Sequence, residues 1–252
     1  MTNIKEIKSA QKRLDGFVRK TPILNSPFLD DIAGRRVFVK AECLQHTGSF
    51  KFRGGWSAIS ALSNKQKSNG VLAISSGNHA QGVAYAAKAF GVKAVIVMPK
   101  DAPKLKIENT KSLGAKVVLY DRLNENREAL GLKISNDNNL TQIKPYDEPL
   151  VIAGQGTCGL EIATQSKQLN IVDSDGCNIT QDFVISEPDV LTNNFTINPF
   201  SNKVLIIDEA HNFISRIVNK LSRPSSLSMK MYNYLMEAEN CKIILLSGTP
   251  II

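Results

Sequence analysis

Four short segments carry residue types that do chemistry. Thr47-Gly48-Ser49-Phe50-Lys51-Phe52-Arg53-Gly54-Gly55 holds a lysine between glycines, at the mouth of a predicted helix. A helix N-terminus is electropositive and presents free N–H groups, a setting that frees an amine for nucleophilic work. The plainer reading is a loop lysine in solvent. Ser75-Ser76-Gly77-Asn78-His79-Ala80-Gln81-Gly82 lies between a buried strand and a helix. Hydroxyls, an amide and open N–H groups at a strand's C-terminal end suit an anionic ligand; the plainer reading is a helix cap. Gly154-Gln155-Gly156-Thr157-Cys158-Gly159 fits G-x-G-x-x-G, with Asp173 and Asp175 about 20 residues on, which leaves a dinucleotide site formally open. Val204-Leu205-Ile206-Ile207-Asp208-Glu209-Ala210-His211 sets two carboxylates at the end of an apolar strand. Acids there are costly unless they serve a cation or face water. One can hold a magnesium ion bound to nucleotide phosphates while its neighbour polarises the attacking water.

The elements that must position these groups alternate. Residues 4–20 read as a lysine- and arginine-rich surface helix ended by Thr21-Pro22, and residues 36–40 as a short strand. A helix follows the glycines near 56–63. Then come a strand at 71–74, a helix at 79–90 stopped by Gly91, a strand at 93–98, and a helix from an Asp101 cap to Leu113 stopped by Gly114. A strand at 115–120, a helix near 122–132 capped by Asp121, a strand at 150–153 and a helix at 158–169 complete the pattern. Strands alternating with helices of this length predict a parallel sheet covered on both faces. Residues 173–202 are polar, with weak strand character. Strands return at 203–207 and 242–246, around helices near 210–221 and 227–239.

Composition excludes whole classes. In 252 residues, 42% are hydrophobic and 21% charged, the balance of a globular chain rather than a disordered or fibrous one. No apolar run approaches the length of a membrane span, and the N-terminus has no apolar core of a secretory signal. Cysteines at 43, 158, 177 and 241 form no CxxC pair, so free thiols and a cytoplasmic location are the expectation. The net charge of +8 divides into +11 over residues 1–170 and −3 over residues 171–252. That change of sign suggests two segments with separate histories.

The segments TGSFKFRGG, SSGNHAQGVAYAAKAFGVKAVIVMP and IAGQGTCGLEI, in this order, resemble the pyridoxal-phosphate enzymes of the serine/threonine dehydratase and serine racemase group. The resemblance covers about residues 1–170 and takes in the G-x-G-x-x-G segment without remainder. It implies an α/β fold of type II. Residues 1–52 would open the large domain, 53–147 form the small α/β domain, and 148–170 return to a truncated large domain. It implies that Lys51 forms the Schiff base with pyridoxal 5'-phosphate, that Phe50 lies against the pyridine ring, and that Asn78 hydrogen-bonds the 3-hydroxyl. Ser75, Asn78 and His79 would hold the carboxylate of a small hydroxy amino acid, serine or threonine. Lys51 would take the Cα proton; loss of the β-hydroxyl and hydrolysis would give a keto acid and ammonia. Many threonine dehydratases have alanine where this chain has Ser76, whereas racemases have serine. A hydroxyl on the face opposite Lys51 could return a proton, so racemase side activity is an added expectation. The glycine-rich loop that cradles the cofactor phosphate in this family is not found after residue 170, which predicts an impaired site.

Residues 198–252, with VLIIDEAH and Ser247-Gly248-Thr249-Pro250, resemble viral DEAH-box superfamily 2 helicases. The resemblance implies that Asp208 binds magnesium of Mg-ATP and Glu209 is the catalytic base. No G-x-x-x-x-G-K-[ST] loop accompanies them, so this is read as a partial RecA-like fragment joined through a linker at 171–202. The reading that emerges is a lyase or racemase with no nucleic-acid or membrane partner. The alternatives are an ATPase fragment, or a chimeric open reading frame whose uncovered apolar faces drive self-association into a homo-oligomer.

Overall fold

The strand–helix alternation after residue 70 produces the expected parallel sheet. In a computed structural model, which describes residues 2–33, 36–168, 198, 200–201, 204–207, 218, 227–239 and 242–245, the chain divides into two compact units. One is Met1–Lys20 with Leu44–Leu160, the other Thr21–Cys43 with Glu161–Ile252.

The first unit holds β3 (Val71–Ile74), β4 (Ala94–Pro99), β5 (Lys116–Tyr120) and β6 (Thr141–Gln142), all parallel in the order β5-β4-β3-β6. Side chains of a strand alternate between faces, and here both faces are buried. Val71, Ala73, Ile96 and Met98 join a core with the alanines of α5 (Asn78–Ala89), while Leu72, Val97 and Tyr120 pack with Leu130 and Ile134 of α7 (Arg127–Asp137). α6 (Lys104–Ser112) and a short α4 (Asn64–Asn69) complete the connections. α1 (Ile4–Leu14) and α3 (Lys51–Ser60) join the first core through an aromatic cluster. Trp56 lies 4.5 Å from Phe17 and 5.5 Å from Phe52, and its indole N–H donates to the Arg13 carbonyl.

The second unit is a four-stranded sheet in the order β1-β2-β8-β7. β1 (Ile23–Asn25) is antiparallel to β2 (Phe38–Lys40), and β8 (Lys242–Leu245) is parallel to both β2 and β7 (Val204–Ile207). α2 (Pro27–Ala33) lies between β1 and β2 in sequence, and α9 (Leu227–Glu237) between β7 and β8. The two strands assigned above to a helicase-like fragment therefore share one sheet with the N-terminal hairpin. The Lys40 ammonium, buried, donates to the Thr21 carbonyl at 2.6 Å, to Glu161 at 2.7 Å and to Gln165 at 2.8 Å.

The largest departure from expectation is α8. Residues 150–153 were read as a strand and 158–169 as a helix, but Pro149–Gln168 is one 20-residue helix. A glycine in a helix interior costs about 1 kcal/mol relative to alanine, yet Gly154 and Gly156 stand in α8 because of what they touch. A Cβ on Gly154 would meet the Arg53 carbonyl oxygen and Ser57 Cβ, both at 2.5 Å; one on Gly156 would meet Ile7 at 2.9 Å. The G-x-G-x-x-G segment is thus a helix surface pared down for close packing, not a strand-to-helix turn, and the dinucleotide reading is overturned. Smaller corrections follow the same logic of local bonds. α1 stops at Leu14 rather than residue 20, with Gly16 at φ +76° behind it. α3 starts at Lys51 rather than 56 and includes Gly54 and Gly55.

Helix propensity alone predicts that Gly154→Ala stabilises the protein by about 1 kcal/mol. Overpacking against backbone predicts the opposite, a loss of about 1–3 kcal/mol. Denaturant unfolding is expected to show the loss.

Candidate functional site

The site is built where α3 and α5 cross. A Cβ on Gly82 would lie 2.8 Å from the Lys51 carbonyl oxygen, and one on Gly55 would lie 2.9 Å from the Gly82 carbonyl. Only glycine permits that approach, and it sets the start of α3 against the second turn of α5. Lys51 is the first residue of α3 and Asn78 the first of α5. The two segments singled out in the sequence, 20 residues apart at their nearest ends, are thereby brought together within one unit.

Each predicted residue of the first two segments can be placed. The Phe50 ring is buried, with Lys51 Nζ 4.7 Å from its centroid. Ser75 ends the run after β3; its N–H donates to the Val97 carbonyl and its hydroxyl accepts from the Gly77 N–H at 3.3 Å. Ser76 is exposed, and Asn78 is half-buried. His79 is 3% exposed and its Nε2 lies 3.0 Å from the Ile143 carbonyl. Burial is the main reason its pKa falls to about 4; the Ile143 hydrogen bond opposes the shift and the Lys51 charge adds to it. Asp208, Glu209 and residues 247–250 lie outside the described residues.

Three buried polar atoms here have no partner: Thr47 Oγ1, Ser49 Oγ and His79 Nδ1. Thr47 also sits at φ +60°, unusual for a β-branched residue. Ser49 lies two residues before α3, its carbonyl accepting from the Phe52 N–H and its hydroxyl without a partner. Neither residue was singled out from sequence, where serine before a helix reads as an ordinary cap. Lys106 of α6 was also missed: its Nζ would lie 3.3 Å from a Cβ on Gly77.

These residues can present an amine, hydroxyls, a neutral imidazole and a helix N-terminus to one small anionic molecule. Comparison with known proteins gives the family. The family model described as pyridoxal-phosphate dependent enzyme matches residues 14–177. An L-threo-3-hydroxyaspartate ammonia-lyase from a Pseudomonas species is 46% identical over 162 residues, covering 64% of this chain and 51% of that protein. A serine racemase from Schizosaccharomyces pombe is 45% identical over 157 residues, covering 62% and 49%. The chain thus spans about half the length of these curated relatives. The maize serine racemase structure superposes with a TM-score of 0.72 at 25% identity, over 99% of this chain and 94% of that one. The fold is the α/β fold of type II, and with well over half of its residues matched, this chain belongs to the pyridoxal-phosphate dependent enzyme family.

Proposed function

We propose that this chain carries a site for ammonia-lyase chemistry on small β-hydroxy amino acids, with serine racemisation as a second activity. The observation that carries the reading is the glycine-mediated crossing that sets the Lys51 backbone against Gly82 of α5. The residues present fit pyridoxal phosphate. A buried polar atom without a partner costs about 1–3 kcal/mol, and the hydroxyls of Thr47 and Ser49 and Nδ1 of His79 are three such atoms near the starts of α3 and α5. A polar ligand there offsets that cost.

When bound, pyridoxal phosphate supplies an electron sink for the electrons released at the substrate Cα. Lys51 is the anchoring amine and the base that takes the Cα proton. Phe50 and Asn78 would hold the cofactor ring, Phe50 by apolar contact and Asn78 by a hydrogen bond to its 3-hydroxyl. Ser75, Asn78 and His79 hold the substrate carboxylate. His79 is neutral at pH 7, so it orients by hydrogen bonding and adds no charge. Loss of the Cα proton and the β-hydroxyl as water, then hydrolysis, yields a keto acid and ammonia. Ser76 is the second proton carrier, and its hydroxyl makes racemisation available.

Three outcomes test this. Wild-type protein given pyridoxal phosphate is expected to show the absorbance of a lysine-linked cofactor and to form keto acid from L-serine, L-threonine or L-threo-3-hydroxyaspartate. An equal band in Lys51→Ala removes the reading. Ser76→Ala is expected to lower D-serine formation about 100-fold or more while keto acid formation persists; unchanged D-serine would exclude Ser76. The third outcome concerns His79. An unfolded histidine takes up a proton near pH 6.5, whereas folded His79 resists protonation down to about 4. Stability is therefore complete above 6.5 and falls as pH drops through that window, by roughly 3 kcal/mol in full. His79→Gln is expected to flatten the slope of Tm against pH between 6.5 and 4. A residual slope comes from His46, also lowered by burial and by Arg19.

A further inference from the structure

No side chain caps the helix that Lys51 opens. Phe50 stands at the N-cap of α3 with no side-chain hydrogen bond to the helix, and the Ser49 hydroxyl has no partner. Just before them the backbone is bent against preference, with Thr47 at φ +60° and Gly48 at +71°. A β-branched residue keeps such a conformation only where its surroundings impose it. The residue that imposes it is Gln45, 2% exposed. Its carbonyl accepts from the Gly48 N–H at 2.9 Å and closes the turn. Its side-chain amide donates to the Arg19 carbonyl at 2.8 Å, and accepts from the Arg19 N–H at 3.1 Å and the His46 N–H at 3.0 Å. Neighbouring groups repeat the tie. His46 Nε2 lies 3.1 Å from the Phe17 carbonyl, and the Arg19 guanidinium donates to the Leu44 carbonyl at 3.1 Å. All of these residues belong to one compact unit.

We propose that Gln45 is a positioning residue for Lys51: its amide pins the turn at residues 46–49 to the Arg19 backbone, and so fixes where α3 begins and where the Lys51 amine is presented. The inference rests on the function proposed above, in which Lys51 anchors the cofactor, and adds a residue that acts through the backbone. A primary amide carries a donor and an acceptor side by side, the pattern that a neighbouring strand would offer to Arg19. Glutamine supplies both without a charge to bury. The His46 ring carries the effect to the second helix of the site. It lies 4.8 Å from Phe52 of α3 and 5.2 Å from Tyr85 of α5, so a shift of the turn is felt by both helices.

The test uses the whole chain with pyridoxal phosphate. Its readouts are cofactor affinity and the circular dichroism of the lysine-linked band, which reports how the ring is held. Gln45→Met leaves three backbone groups without their partner. It is expected to weaken cofactor affinity about tenfold, to diminish the dichroic band, and to lower kcat with KM for L-serine nearly unchanged. Gln45→Glu still accepts from the Arg19 and His46 N–H groups but does not donate to the Arg19 carbonyl when ionised. It is expected to fall between Gln45→Met and wild type. Ile59→Val is the control, a fully buried position on the same helix. Its Tm is expected to fall through lost packing while affinity and dichroism hold. Gln45 variants that behave like Ile59→Val, losing Tm alone, overturn the inference and leave the proposed function standing. If Gln45→Met fails to fold, Gln45→Glu decides: wild-type affinity and dichroism in that variant overturn the inference. Wild-type protein with no lysine-linked band overturns the proposed function and this inference with it.

Discussion

Where α3 meets α5 there is no side chain at the centre of the contact. Gly55 faces the carbonyl of Gly82, and Gly82 faces the carbonyl of Lys51, each at a distance that leaves no space for a methyl group. α8 repeats the device on the other side of α3, where Gly154 meets the Arg53 carbonyl and Gly54 meets Val151 and Gln155. Glycine in a helix weakens it, and the sum is offset by the fully buried side chains that the approach brings together, among them Phe52, Ile59, Val83 and Val151. The placement of Lys51 depends on this packing, because the lysine's own backbone is one of the surfaces in contact.

The same packing decides what sequence could and could not disclose. β3 was read at its exact bounds and β4 and β5 within a residue, because a buried parallel strand is a short apolar run bounded by polar turns. Gly91 and Gly114, at φ +64° and +87°, stopped their helices as expected. α8 was misread because Leu150, Val151, Ile152 and Ala153 have strand character and the glycines beyond them look like a loop; only the neighbours across the interface show why glycine is needed there. Two caps failed for a local reason. Asp121 accepts from the Leu123 N–H in a turn, leaving Asn126 to cap α7 through the Ala129 N–H. Asp101 accepts from Arg122 instead of capping α6.

Within the candidate site, residues on motif segments are legible in the sequence and those that reach it from elsewhere are not. Lys51, Ser75, Asn78 and His79 were legible because a lysine between glycines and a polar run after an apolar strand are local patterns. Lys106 was not, since it is one lysine among several on an exposed helix and its relation to Gly77 exists only in three dimensions. The protonation of His79 was equally hidden. A histidine at the start of a helix reads as a charge near water, whereas its burial against the Ile143 carbonyl makes it a neutral group among cations. The net charge of +8 said little about this, because the cations that matter are set by position rather than number.

The second unit has a consequence in time. β2 pairs with β1 a few residues earlier, but its other neighbour, β8, is aligned through Phe38 and Ile244, about 200 residues apart. At a synthesis rate of about 5–20 residues per second, one edge of β2 waits on the order of 10–40 seconds for its partner to leave the ribosome. Lys40, on the same strand, waits for Glu161 in the same way. During that interval a three-residue strand with an unpaired lysine is a poor template for other chains, since short edges and charged side chains discourage strand addition. The lysine that later enters a buried ion pair therefore also guards the nascent chain while that pair does not yet exist.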